Sequence, residues 1–175
     1  SLSGQCSSED VLIVCNDGFK KMEVIDDGKA LKCECGVIGS DANDLLKPYN
    51  RKIGPDPATL ATALVGGILN NNSSGMCCGT AQNSYKTIRS IRVVLLDGSI
   101  LDTSDQKSIN QFLKEKPQMV EDILQLRKDI LADEELTHLI HHKYKIKNTT
   151  GYGLNSFVDF EDIIVSMSME NLQMP

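Results

Sequence analysis

At 175 residues, with 41% apolar and 24% charged side chains, the chain has ordinary globular composition and enough length for one cored domain or two small lobes. A formal net charge of −6 argues against nucleic acid as a partner, because phosphate neutralisation needs a concentrated basic face, and the most basic stretch, His141–Lys147, reads as a solvated segment. No apolar run approaches the roughly 20 residues that span a bilayer, since the longest, Ala61–Leu69, is interrupted by Thr62, Gly66 and Gly67.

Ser1-Leu2-Ser3-Gly4-Gln5 opens the chain, and alone such a stretch reads as a frayed end. The first residues carry neither a basic region nor an apolar stretch, so no secretory signal is read there and a cytoplasmic location with reduced thiols is expected. Val11–Cys15 is a short β-rich run closed by the turn signal Asn16-Asp17-Gly18. Met22–Ile25 and Ala30–Cys35 predict a hairpin that reverses at Asp26-Asp27-Gly28. Ser40 is placed to cap a short helix over Asp41–Lys47, which Pro48 stops, and Pro57 then opens a helical stretch toward Ala63. Ile88–Leu96 predicts a strand in which Ile91, Val93 and Leu95 oppose Arg92 and Val94, with Asp97-Gly98 turning it into Ile100-Leu101. Ser104 or Asp105 caps a helix through Leu113, and Pro117 opens the next. There Val120, Ile123, Leu124, Ile130 and Leu131 recur at three- and four-residue steps, marking an amphipathic helix. Asp133 caps a third, through about His142.

The segment Ile53–Thr80, IGPDPATLATALVGGILNNNSSGMCCGT, stands apart from these elements. Gly66, Gly67, Gly75 and Gly79 let the main chain come close to something else, and Asn70–Asn72, Ser73, Ser74 and Thr80 offer donors where unusual dihedrals are tolerated. No Lys or Arg occurs in it, so a phosphate-bearing ligand held here would be gripped by backbone N–H groups and by helix or turn dipoles. A mononucleotide P-loop is excluded because no GK[ST] follows a glycine-rich stretch, and no G-x-G-x-x-G sits between a strand and a helix as a Rossmann fold requires.

Six cysteines raise the question of metal. Cys33-x-Cys35, on one face of the second predicted strand, and Cys77-Cys78 could meet in space, yet neither pair has the two-to-four-residue spacing of structural zinc ligands. Packing and loop roles are expected for them, with no metal ligands assigned. His138, His141 and His142 stand at helical spacing without an accompanying HExxH carboxylate, the pattern of a solvated cluster.

Ser1–Gln5, Pro55–Thr59, Gly66-Gly67, Asn71–Gly75 and Gly79-Thr80, in that order and spacing, together with Lys145–Asn155 (KIKNTTGYGLN), resemble the flavin-binding domain of the vanillyl-alcohol-oxidase or PCMH-type FAD enzymes. Within these the likeness is to the branch of D-lactate and 2-hydroxyacid dehydrogenases, glycolate oxidase subunits and 2-hydroxyglutarate dehydrogenases. The resemblance implies an α+β, two-lobed PCMH-type FAD-binding domain, present in part. A small β-rich lobe would end at residue 54. Residues 55–175 would form a second lobe of antiparallel sheet with covering helices, and the substrate domain would be absent.

The resemblance also implies FAD as cofactor, accepting a hydride from the α-carbon of a small D-2-hydroxy acid to leave a 2-oxo acid. Ser1, Leu2, Ser3, Gly4 and Gln5 would cradle the pyrophosphate, and Pro55, Asp56 and Pro57 would set a turn beside the flavin, tied by the Asp56 side chain. Thr62, Ala63, Gly66 and Gly67 would line the phosphate and ribityl region, where a side chain at either glycine would clash. Asn71, Asn72, Ser74 and Gly75 would contact the isoalloxazine side or shape its loop, Gly79 and Thr80 would close the segment, and Asn148–Tyr152 would approach from the far side. The NNSSGMCCGT form is similar to a subclass whose full-length members carry iron–sulfur segments, which makes such a centre a candidate electron acceptor.

The sequence departs from the family pattern in two places. The family's glycines before SLSGQ are not present, and after GYGLN the chain runs to VSMSMENLQMP in place of a GSEGTLG segment. No residue is assigned as a catalytic base, and the isolated chain is expected to show little or no dehydrogenase activity and to bind FAD weakly if at all. Two other classes stay open at this point: a metal or iron–sulfur module built on Cys33, Cys35, Cys77 and Cys78, and a non-catalytic nucleotide-binding or assembly module.

Overall fold

The computed structural model describes residues 18–148 and 153–160. Ser1–Gln5, the run Val11–Cys15, the loop residues 149–152 and the C-terminal stretch from 161 lie outside the described residues. The chain divides into two compact units, Ser1–Thr87 and Ile88–Pro175.

In the first unit, β1 (Met22–Ile25) and β2 (Ala30–Cys33) pair antiparallel with Met22 opposite Cys33 and Ile25 opposite Ala30. The reversal needs three successive left-handed residues, Asp26 (φ 55°), Asp27 (φ 52°) and Gly28 (φ 85°), which is why Asp-Asp-Gly stands there. β2 ends at Cys33, so Cys35 lies past the strand and the two thiols do not share a strand face as expected. α1 (Gly39–Leu46) follows, and its N-cap is Ile38. Ser40 does not cap it, because remote carbonyls already serve the first N–H groups: Gly39 N donates to Ala63 O at 2.9 Å and Ser40 N to Leu60 O at 3.1 Å.

Those same carbonyls explain why residues 57–63 form successive turns and not the expected helix. Leu60 N closes on Pro57 O and Ala63 N on Thr59 O, each in a single turn, and regular helix begins only at α2 (Val65–Asn70). An antiparallel bridge between Ile38 and Leu64 locks α2 beside α1, and Val37, Ala42 and Val65 form the buried core with Met22, Leu31 and Leu69 against it. Residues 55–87 therefore pack with residues 18–54 in one unit, whereas the lobe boundary implied by the resemblance falls at 54/55. A short α3 (Ser84–Thr87) closes the unit.

In the second unit, β3 (Arg92–Val94) and β4 (Ile100–Asp102) form a hairpin with Val93 opposite Leu101. Its turn carries Gly98 at φ 83°. The strand expected over Ile88–Leu96 is trimmed to three residues: at one end Ile91 N donates to the Thr103 hydroxyl at 2.8 Å in place of a ladder carbonyl, and at the other the turn begins at Leu95, whose carbonyl accepts Gly98 N at 2.9 Å. α4 (Gln106–Glu115) starts at Asp105, whose carboxylate accepts Lys107 N at 2.9 Å. α5 (Pro117–Ala132) has proline in its first turn, and α6 (Glu134–Lys143) is capped by Asp133 through Leu136 N at 2.9 Å. The core is Leu101, Ile109 and Phe112, with Leu95, Leu113 and Val120 packed on it.

Among the described residues the strands make two separate two-stranded ribbons, not one sheet under a helical layer. α4 packs on β4, while α5 packs on α6. Of the expected α5 stripe Ile130 is buried, but Leu124 and Leu131 are exposed. The architecture is thus α+β, with small antiparallel hairpins and mixed helices. Among the described residues no helix is long and apolar enough to cross a membrane.

Candidate functional site

The glycines of the segment 53–80 fall into two groups. A Cβ at Gly66 would lie 2.7 Å from Cys35 Cβ and 3.1 Å from Cys35 O, and one at Gly54 would lie 2.6 Å from Gln82 O. At Gly75 it would overlap the main-chain oxygen of Asp56. These three are bare because the chain packs against itself. Gly67 and Gly79 are different: among the described residues a Cβ at either would meet no atom within 4 Å beyond its own turn. Among the described residues a methyl at Gly66 meets Cys35, and one at Gly67 meets nothing within 4 Å. Gly79 owes its identity at least in part to its φ of 53°.

The backbone donors are also largely committed. Val65 N donates to Val37 O at 2.7 Å and Gly66 N to Cys35 O at 2.9 Å, so the start of α2 is tied into the core. Asp56 does not tie its own Pro-Asp-Pro turn. Its carboxylate reaches 21 and 22 residues ahead, accepting Cys77 N at 3.2 Å and Cys78 N at 3.1 Å. Hydrogen bonding from Cys78, opposed by burial and reinforced by Cys77, lowers this carboxyl from 3.8 to about 2. Ionised Asp56 stabilises the junction; that contribution is complete above 3.8 and is lost as pH falls toward about 2. Cys78 is buried and its Sγ accepts Gly75 N at 3.0 Å, while Cys77 is exposed.

The Asn and Ser residues divide in the same way. Asn72, left-handed at φ 44°, accepts Tyr85 N on its Oδ1 at 2.9 Å. Asn71 caps the C-terminus of α2, its N–H donating to Gly67 O at 3.1 Å. Ser84, which sequence reasoning missed, is buried and its hydroxyl lies 3.0 Å from Ile68 O and 3.1 Å from Ser73 O, pinning the loop to α3. A lone serine in a polar stretch carries no pattern that would have singled it out. Ser74 is 3% exposed, and its Oγ has no hydrogen-bond partner among the described residues.

The remaining candidates are spread along the segment. Pro55 is buried; Asp56, Pro57, Ala63 and Thr80 are half-buried; and Thr62 is exposed with its hydroxyl turned back to Thr59 O at 3.2 Å. Among the described residues no group of three or more His, Cys, Asp or Glu side chains comes together that could hold a metal ion.

A family model described as an FAD binding domain matches residues 1–104. The chain belongs to this FAD-binding family. Its match runs from Ser1 through all of segment 53–80 to the end of the β3–β4 hairpin. The FAD-binding chain is similar to the D-2-hydroxyglutarate dehydrogenase of Escherichia coli, at 34% identity over 73 residues, or 42% of this chain and 7% of that protein. It is likewise 30% identical over 80 residues to the D-2-hydroxyglutarate dehydrogenase of Haemophilus influenzae, 46% of this chain and 8% of the relative. The Pantoea ananatis enzyme of the same name is 26% identical over 102 residues, 58% of this chain and 10% of its own length. The matched stretches thus span a tenth or less of these relatives. No solved structure matches the chain.

One observation bears on whether the residues present fit a bound dinucleotide. A buried hydroxyl without a partner costs about 1–3 kcal/mol, and native chains rarely leave one without a use. Ser74 Oγ is such a group, next to Gly75 in the matched segment.

Proposed function

We propose that the stretches around Gly67, Ser74 and Gly79 form part of the surface on which this FAD-binding chain receives its cofactor, in an oxidoreductase that oxidises a D-2-hydroxy acid of the 2-hydroxyglutarate type. The orphaned Ser74 hydroxyl carries the first half of this reading. The names of the relatives support the second. Bound FAD supplies the hydride-accepting centre, and the chain supplies position and electrostatics.

In this reading Ser74 donates a hydrogen bond to the cofactor, and the open sides of Gly67 and Gly79 let its bulk lie against the main chain. Because segment 53–80 contains no Lys or Arg, N–H groups and hydroxyls of this stretch, with Ser1–Gln5, would meet the phosphates. The order of the motifs supports a PCMH-type arrangement. The NNSSGMCCGT form supports an iron–sulfur electron acceptor in the same protein.

Ser74→Ala separates this reading from a purely structural one. Removing an unsatisfied hydroxyl leaves the FAD-free protein as stable as before or more so, while FAD affinity, followed by quenching of flavin fluorescence, falls about tenfold. Unchanged affinity in Ser74→Ala would remove Ser74 from the surface. A whole purified protein that neither carries flavin nor gains thermal stability with FAD would overturn the reading altogether.

A further inference from the structure

Resting on that reading of the site, we infer that Asp56 is a positioning residue for the cofactor surface: it holds the Ser74–Thr80 turn in place without itself meeting FAD. Three contacts join the two segments. Asp56 Oδ1 accepts Cys78 N at 3.1 Å, Oδ2 accepts Cys77 N at 3.2 Å, and the Asp56 carbonyl lies so close to Gly75 that no Cβ could stand between them. Both carboxylate oxygens are thereby occupied by the chain's own N–H groups.

The local sequence is suited to a rigid clamp. Asp56 stands between Pro55 and Pro57, so ring closure fixes φ on either side and the clash with Pro57 holds Asp56 itself extended. The main chain from which the carboxylate reaches Cys77 and Cys78 is thereby held in place. The clamp also settles an electrostatic problem. With no basic residue between Ile53 and Thr80, a free carboxylate beside an anionic dinucleotide would repel it, and the two N–H donors disperse that charge. Ser74, whose hydroxyl has no partner among the described residues, directly precedes the pinned Gly75, so its position depends on this junction.

Asp56→Asn tests the inference, because the isosteric amide keeps one acceptor but turns an NH₂ toward a backbone donor. FAD affinity is expected to fall about tenfold, the loss of one charge-assisted hydrogen bond. The fine structure of the bound flavin's visible band is expected to blur. Amide hydrogen exchange should quicken at Cys77 and Cys78 while β1, β2 and α1 keep wild-type protection. An Asp56→Asn protein with a loosened turn but wild-type FAD affinity and spectrum would overturn the positioning role. So would unprotected exchange of the Cys77 and Cys78 amides in the wild-type protein, a measurement that stands even where the variant does not fold. Wild-type protein that takes up no FAD would instead defeat the reading of the site, and this inference with it.

Discussion

The two units of this chain are held together by different means. In the second, the helices begin on local chemistry: Asp105 and Asp133 cap their own helices, Pro117 opens another, and Phe112 and Ile109 close on Leu101 from one helix face, with long reaches from Arg127 and Lys116, the former donating from Nε to Phe157 O at 3.1 Å. In the first, the decisive contacts cross long stretches of sequence. Asp56 reaches Cys77 and Cys78, Ser84 reaches Ile68 and Ser73, and Gly66 and Gly75 admit main chain where any side chain would intrude. Both units have a small side-chain core, but the first adds places where only bare main chain fits. A surface that must accept a large planar cofactor against bare main chain is better served by the first unit's construction, since long-range clamps can fix irregular backbone that no helix or strand would supply.

The contrast breaks most sharply under substitutions of opposite kind. Phe112→Ala empties the middle of the second unit's small core and should cost about 3–5 kcal/mol, seen as a lowered denaturation midpoint and loss of exchange protection confined to α4 and β4. Gly75→Ala adds one carbon to the first unit and should cost about 1–3 kcal/mol, because the Asp56 carbonyl must move to admit it. Its exchange protection should fall at Cys77 and Cys78 and leave α4 untouched. If Gly75→Ala is neutral, or if Phe112→Ala loosens the Asp56 junction equally, the two units do not differ as described.

The same contrast decides what could be read from the sequence. Asp26-Asp27-Gly28, Asp97-Gly98, Asp105, Pro117 and Asp133 each announce an element through chemistry within a few residues, and each element is found there. Ser40 misled because a serine before a helix is a capping signal only when nothing else meets the first N–H groups, and here Leu60 and Ala63 do. The helix expected from Pro57 gave way for the same reason, its carbonyls being drawn to α1. At the site, the family resemblance pointed to segment 53–80 as a whole. It could not tell glycines that serve the chain's own packing, Gly66 and Gly75, from those that face open space, Gly67 and Gly79, because that difference lies in residues as remote as Cys35 and Asp56.

Gly67→Ala has the smallest expected effect on stability and sharpens this last distinction. Gly67 lies in the first turn of α2, and among the described residues an added methyl would touch nothing within 4 Å beyond its own turn. Alanine is the better helix former, so the FAD-free variant should be more stable by up to about 1 kcal/mol, read as a raised Tm. If Gly67 is open because the cofactor lies against it, the same methyl must weaken binding, and the gain in Tm on adding FAD should shrink. Two changes of opposite sign are therefore expected from one carbon atom. Gly66→Ala, by contrast, should lower stability whether or not FAD is present, since its methyl meets Cys35. A Gly67→Ala protein that is stabilised and gains as much from FAD as the wild type would place Gly67 off the cofactor surface, and its glycine would then have no role that α2 or its neighbours explain.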